Sequence, residues 1–197
     1  MLELLYPIRQ APQVPSPRFT SVGTKTRASS EEMLPIVEES GLVIARAVRS
    51  YLHSGSKLLH PVVHLHIIDR FGRIFLQKRS RNKDLYPGRW DTAVGGHVSY
   101  GEQVGEALFR ESAEELGFYD FNPVFLDSYV HESDTERELV SVFATVGNFD
   151  IHPDNPEVET GRFWSPAEIV DAIGGGILTP NFEQEFTTFR ERLSSLL

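Results

Sequence analysis

The chain has 197 residues, 40% of them hydrophobic and 24% charged, and carries a formal net charge of −9. That length suits one domain with a sizeable core, and the acidic balance excludes a surface that coats nucleic acid, which needs clustered Lys and Arg. With no cysteine, disulfides, thiolate metal sites and cysteine nucleophiles are excluded; with no apolar run near the ~20 residues of a bilayer span, a cytoplasmic protein is expected.

Residues 1–31 read as a tail. Prolines stand at 7, 12, 15 and 17, a Ser/Thr/Gly stretch follows, and neither helical nor strand periodicity appears. Its bias toward basic residues from Leu4 to Ser30 faintly resembles a transit peptide. One domain is expected over residues 32–197. Leu34–Val37 and Leu42–Ala47, parted by Glu38–Gly41, predict a hairpin. Val62–Ile68 alternates as a buried strand, with Val63, Leu65 and Ile67 on one face and Val62, His64, His66 and Ile68 on the other.

After the turn at Arg70–Arg73, Ile74–Gln77 returns as a strand, and Lys78–Arg89 reads as a basic surface loop closed by Pro87-Gly88. Trp90–Val94 predicts a strand ended by Gly95-Gly96. The clearest helix runs from Glu102 to Leu116 and stops at Gly117. Two strands, Phe125–Val130 and Leu139–Val146, flank a polar connection over His131–Glu138, and Phe163-Trp164 predicts a last short strand. Ser165 caps a helix from Pro166 to Ile173, and a second helix over Asn181–Leu196 buries Phe182, Phe186, Phe189 and Leu193. This order predicts an α/β (α+β) domain, a mixed sheet between helices.

Chemistry concentrates in Gly95–Glu102 and Arg110–Phe118. Glu111, Glu114 and Glu115 fall within about a third of one helix circumference, where three like charges repel. An oxygen-loving cation, Mg²⁺ or Mn²⁺, relieves that repulsion, and Gly96 lets a backbone carbonyl join the carboxylates. A merely solvated acidic face is the plain alternative.

This segment resembles the Nudix box, Gly-x5-Glu-x7-Arg-Glu-U-x-Glu-Glu-x-Gly-U with U a bulky apolar residue. Gly96, Glu102, Arg110, Glu111, Glu114, Glu115, Gly117 and Phe118 fill its positions, and Ser112 departs from it where an aliphatic residue is usual. Flanking segments, Phe71–Arg79 with Pro87–Asp91 and Glu157–Ile169, extend the resemblance.

It implies an α/β/α sandwich around a mixed sheet and a hydrolase that cleaves a diphosphate linkage in a small nucleotide-like or related substrate. By the same resemblance Glu111, Glu114 and Glu115 hold the metal, with the Gly96 carbonyl joining them on the backbone reading above; Arg110 and Glu102 pair to orient the ligand helix, and Glu115 is the least dispensable. The general base is a box glutamate or a carboxylate of another loop, with Glu132, Glu136 and Glu138 as candidates.

Leu59-His60 and Gly95-Gly96-His97 also resemble places where isopentenyl diphosphate isomerases, which share the fold, hold metal with histidine. Those enzymes need a cysteine at the position of Gly95, so hydrolysis is favoured over isomerisation. His60, His97, Arg79 and Lys83 are candidate substrate contacts; each has a plain alternative, structural for the histidines and a solvated loop charge for the other two. Trp90 and Tyr100 are candidates for stacking, with core packing the alternative for Trp90. A ligand-sensing Nudix domain that has lost catalysis is a further alternative. The expected partner is a small diphosphate, not nucleic acid or membrane, with homodimerisation left open.

Overall fold

The computed structural model describes residues 31–83, 85–151, 153 and 155–197. Apart from Glu31, the expected tail lies outside them. The first strands, β1 (Met33–Val37) and β2 (Val43–Val48), form the antiparallel hairpin expected from the two apolar segments about Glu38–Gly41. Its turn passes through Gly41 at φ +81°, a conformation that favours glycine. A short helix, α1 (Arg49–Tyr51), and a wide turn over Leu52–Ser56 follow, in a polar stretch without periodicity. Leu52, fully buried, anchors this segment.

β3 (Leu59–Ile68) is buried along its whole length. On one edge it pairs in parallel with β8 (Arg137–Val146), whose own far edge carries β7 (Val124–Glu132). On the other edge β4 (Ile74–Arg79) touches β3 only at Ile67 and Ile68 before the two strands part. The chain fills this fork from both sides. β5 (Trp90–Asp91) pairs with β4 at Gln77 and Lys78, and β6 (Val94–His97) pairs with β3 from Val62 to Leu65. β9 (Val158–Trp164) completes the sheet on β4.

Two expectations are corrected here. Trp90–Val94 is not one strand ended by Gly95-Gly96: the ladder breaks at Thr92-Ala93, where Thr92 Oγ1 donates to the Leu65 carbonyl, and both glycines lie inside β6. The connection between β7 and β8 is also shorter than His131–Glu138, since the strands run on to Glu132 and Arg137. Cross-strand pairing of His131 with Glu138 outweighs the polar character of those residues.

Helices cover both faces. α2 (Val104–Leu116) packs Ala107, Leu108 and Leu116 against Val63, Leu65, Ile67 and Phe75. Its capping box joins Gln103 and Glu106, and Gly117 ends it in the left-handed conformation. On the other face α3 (Pro166–Ala172) and α4 (Pro180–Ser194) cover Val62, Ile68, Ile74, Leu76, Val140 and Val142. Phe182, Phe186, Phe189 and Leu193 supply most of that cover, each worth about 1.5–3 kcal/mol on full burial. The result is an α/β/α sandwich around a mixed sheet. No helix among the described residues is long and apolar enough to cross a membrane.

Candidate active site

Because side chains alternate along a strand, β6 presents Gly96 to the α2 side and Gly95 and His97 to the α4 side. Each side carries a cluster of titratable groups. On the α2 side, a Cβ on Gly96 would collide with the Glu111 carboxyl. Only glycine fits there, and its backbone lies directly against that carboxylate.

Arg110 ties the acidic helix face together. It grips Glu102 with two hydrogen bonds, Nε to Oε1 at 2.7 Å and Nη2 to Oε2 at 2.8 Å. Nη2 also donates to the His97 carbonyl at 2.9 Å, and Nη1 to Glu111 at 2.7 Å and Glu114 at 3.3 Å. This guanidinium therefore offsets the repulsion among the glutamates while fixing α2 against β6.

Glu115 enters the fork in the sheet. It is 7% exposed and accepts from Gln77 Nε2 at 3.0 Å and from the Gly95 N–H at 3.4 Å. Burial, then the charge of Glu111, pushes its carboxyl up to about 8. Burial likewise raises Glu111 to about 7, against the pull of Arg110. Two carboxylates so disfavoured as anions, one buried and one half-buried, beside a glycine backbone, form a donor set that a hard cation would stabilise. The residues present fit a divalent metal ion.

The α4 side brings His60 and His97 together with a residue that sequence reasoning did not single out, His53. Among the described residues, the donor sets of three lying within 4.8 Å are His53, His60 and His97, and His60, Glu136 and Glu138. His53 Nε2 is 3.1 Å from His97 Nε2, and its Nδ1 is 3.1 Å from Glu136. The rings of His60 and His97 stack at 5.4 Å. His60 Nδ1 lies 3.1 Å from the Leu58 carbonyl, which fixes the tautomer and leaves Nε2, buried and without a partner among the described residues, toward the cluster.

Burial and the cations around it hold the His97 imidazole well below its usual range, and burial lowers His60. Burial and the neighbouring Glu136 raise Glu138 to about 7. Neutral imidazoles facing reluctant carboxylates are the donors that Zn²⁺, Mn²⁺ or Fe²⁺ prefer. Glu136 and Glu138 meet His60 because Glu138 sits opposite it in the parallel β3–β8 register. His53 arrives on the irregular turn, where only the anchoring Leu52 hints at order.

Arg79 pairs with Asp91 at 2.9 Å, Lys83 pairs with Glu157, and Arg81 is exposed with Glu159 3.9 Å away. Lys83 is near enough to lower the pKa of Glu115. Glu132 stands at the rim, between Lys57 and Arg137. Trp90 packs edge-on against Trp164 in the α4-side core, whereas Tyr100 is 47% exposed beneath Arg46.

Comparison with known proteins agrees with this architecture. Residues 58–182 match the family model for the NUDIX domain. The chain is 32% identical over 155 residues to an uncharacterized Nudix hydrolase of Nostoc sp., covering 74% of this chain and 87% of that protein. It is 28% identical over 146 residues to an isopentenyl-diphosphate Delta-isomerase of Mycolicibacterium vanbaalenii, covering 71% and 80%. In fold it is similar to the crystal structure of DR0079 from Deinococcus radiodurans, with a TM-score of 0.68 and 22% identity over 78% of this chain and 96% of that one. With the matched segment running from the start of β3 into α4, this chain belongs to the Nudix hydrolase family.

Proposed function

We propose that this protein is a divalent-metal-dependent hydrolase that cleaves a diphosphate linkage in a small nucleotide-like or related molecule. The observation that carries this reading is the pair of box carboxylates, buried Glu115 and half-buried Glu111, set against a residue 96 where no side chain fits. Glu111, Glu114, Glu115 and the Gly96 carbonyl would hold Mg²⁺ or Mn²⁺, which neutralises the diphosphate and lowers the pKa of water when bound. Arg110, through Glu102 and the His97 carbonyl, holds the ligand helix in register with β6. Gln77 orients Glu115 from the floor of the fork. The proton acceptor for the attacking water is a box glutamate or a carboxylate of the β7–β8 hairpin, Glu132, Glu136 or Glu138.

A second metal centre of His53, His60, His97, Glu136 and Glu138 accompanies the first in this reading, supported by two donor triads that share His60. Isomerase chemistry of the kind that the histidines resemble would need a thiol where Gly95 stands. Hydrolysis is therefore the reading preferred.

The test is phosphate or nucleotide release from a panel of diphosphate-linked compounds with Mg²⁺ or Mn²⁺. Wild type should turn over at least one, a chelator should abolish the reaction, and Glu115→Gln should lower the rate by about 10²-fold or more. Metal content of wild type and His60→Ala, measured by mass spectrometry, checks the second centre. Metal that binds without turnover of any compound would favour a sensing role; failure of Glu115→Gln to change turnover would remove the glutamates from the mechanism.

A further inference from the structure

The α4 side of β3 carries a second use of histidine. Glu185, from α4, is 1% exposed and spends both carboxylate oxygens on three partners. Its Oε1 is 2.6 Å from His64 Nδ1 and accepts from the Tyr129 hydroxyl at 2.7 Å; its Oε2 is 2.9 Å from His66 Nε2. A carboxylate so removed from water needs a cation beside it. Burial alone would lower the pKa of His64, but Glu185 overrides it and holds the imidazole at about 9.

What distinguishes His64 from a purely structural partner is its other edge. Nδ1 is taken by Glu185, so Nε2 faces the opposite way, and the residue keeps 8% of its surface exposed. That edge lies beneath Gly95, its cross-strand neighbour: a Cβ there would fall 3.3 Å from His64 Cδ2 and 3.4 Å from Nε2. A side chain at 95 would cover the ring, and glycine leaves it open. Gly95 borders both halves of the site, since its N–H points at Glu115 and its open face lies two residues before His97. Glu138 is near enough to act electrostatically on His64.

We infer that His64 is a substrate-binding residue, whose Nε2–H, fixed by Glu185 and exposed past Gly95, donates to a phosphoryl oxygen of the substrate. This rests on the diphosphate-hydrolase reading above. It adds to that reading a fixed cation within a site otherwise rich in carboxylates, where an anionic substrate would be repelled. Tyr129 and His66 act through Glu185, as positioning residues.

The experiment is titration with methylenediphosphonate, a diphosphate that cannot be cleaved, in the presence of Mg²⁺. Affinity is read by calorimetry and the histidine ring nitrogens by NMR, for wild type, His64→Gln, Gly95→Ala and Glu115→Gln. Wild type should bind with a shift of the His64 Nε2 resonance. His64→Gln should weaken binding by about tenfold or more, as loss of a charge-assisted hydrogen bond does. Gly95→Ala keeps both His64 and Glu185 but puts a methyl against the ring edge, which must give by a few tenths of an ångström, so it should weaken binding in the same way.

Should His64→Gln fail to fold because Glu185 is left without its cation, the double variant H64Q/E185Q removes both charges and carries the same expectation. Unchanged affinity in these variants with an unmoved His64 signal would overturn the inference and leave His64 a structural partner of Glu185. Failure of wild type to bind the diphosphonate, or binding that Glu115→Gln leaves intact, would overturn the diphosphate reading itself, and the inference with it.

Discussion

At the scale of single residues, the departure from the Nudix box is informative. Ser112 stands where an aliphatic side chain is usual; it is fully buried, and its hydroxyl finds no partner among the described residues. An unsatisfied buried hydroxyl costs more than it contributes, so Ser112→Ala is expected to stabilise the fold by about 1 kcal/mol, measured by urea denaturation. A loss of stability would mean that the hydroxyl is satisfied in solution. The adjacent glycines show how a missing side chain defines a site: residue 96 excludes a Cβ because Glu111 fills the space, whereas residue 95 leaves a histidine edge uncovered.

At the scale of elements, helix ends are set by local chemistry. Ser165 Oγ accepts from the Glu168 N–H at 3.2 Å, and Glu168 Oε2 accepts in return from the Ser165 N–H at 2.7 Å, with Pro166 in the first turn. Ser165→Ala should therefore cost about 1 kcal/mol, a lowering of the denaturation midpoint that leaves turnover unchanged because α3 contributes no residue to the site. The strands behave differently. β6 pairs through its glycines and β7 and β8 run past polar residues because partners across the sheet, not propensity, decide where a ladder ends.

At the scale of the molecule, Glu185 links α4 to β3 and β7 across 121 and 56 residues of sequence. His64, held at about 9 against an ordinary 6.5, contributes stability that is complete below pH 6.5 and lost as pH rises through 9. Glu185 is held below its ordinary 4.5: burial opposes this, and the two histidines override it. Its contribution is present above pH 4.5 and lost as pH falls through the depressed value. The network should thus stabilise most between about pH 4.5 and 6.5. Unfolding free energy should fall from pH 6.5 to 9.5 in wild type and fall less in Glu185→Gln. Glu111 and Glu115, raised by burial, add a decline of the same sign in both proteins. The difference between the two profiles therefore carries the test, and identical profiles would show that the pair is not charged.

The sequence by itself determined the family, the α/β/α order and the carboxylate-bearing helix, because these depend on spacings of a few residues. Glu111, Glu114 and Glu115 lie on one face through helical pitch alone, and Gly117 ends that helix through its backbone freedom. Only the tertiary structure decided what surrounds them. His53 meets His60 and Glu136, and Glu185 meets His64, through strand register and helix docking over long separations. The exposure that raises or lowers a pKa exists only after those surfaces close, so no spacing in the chain encodes it.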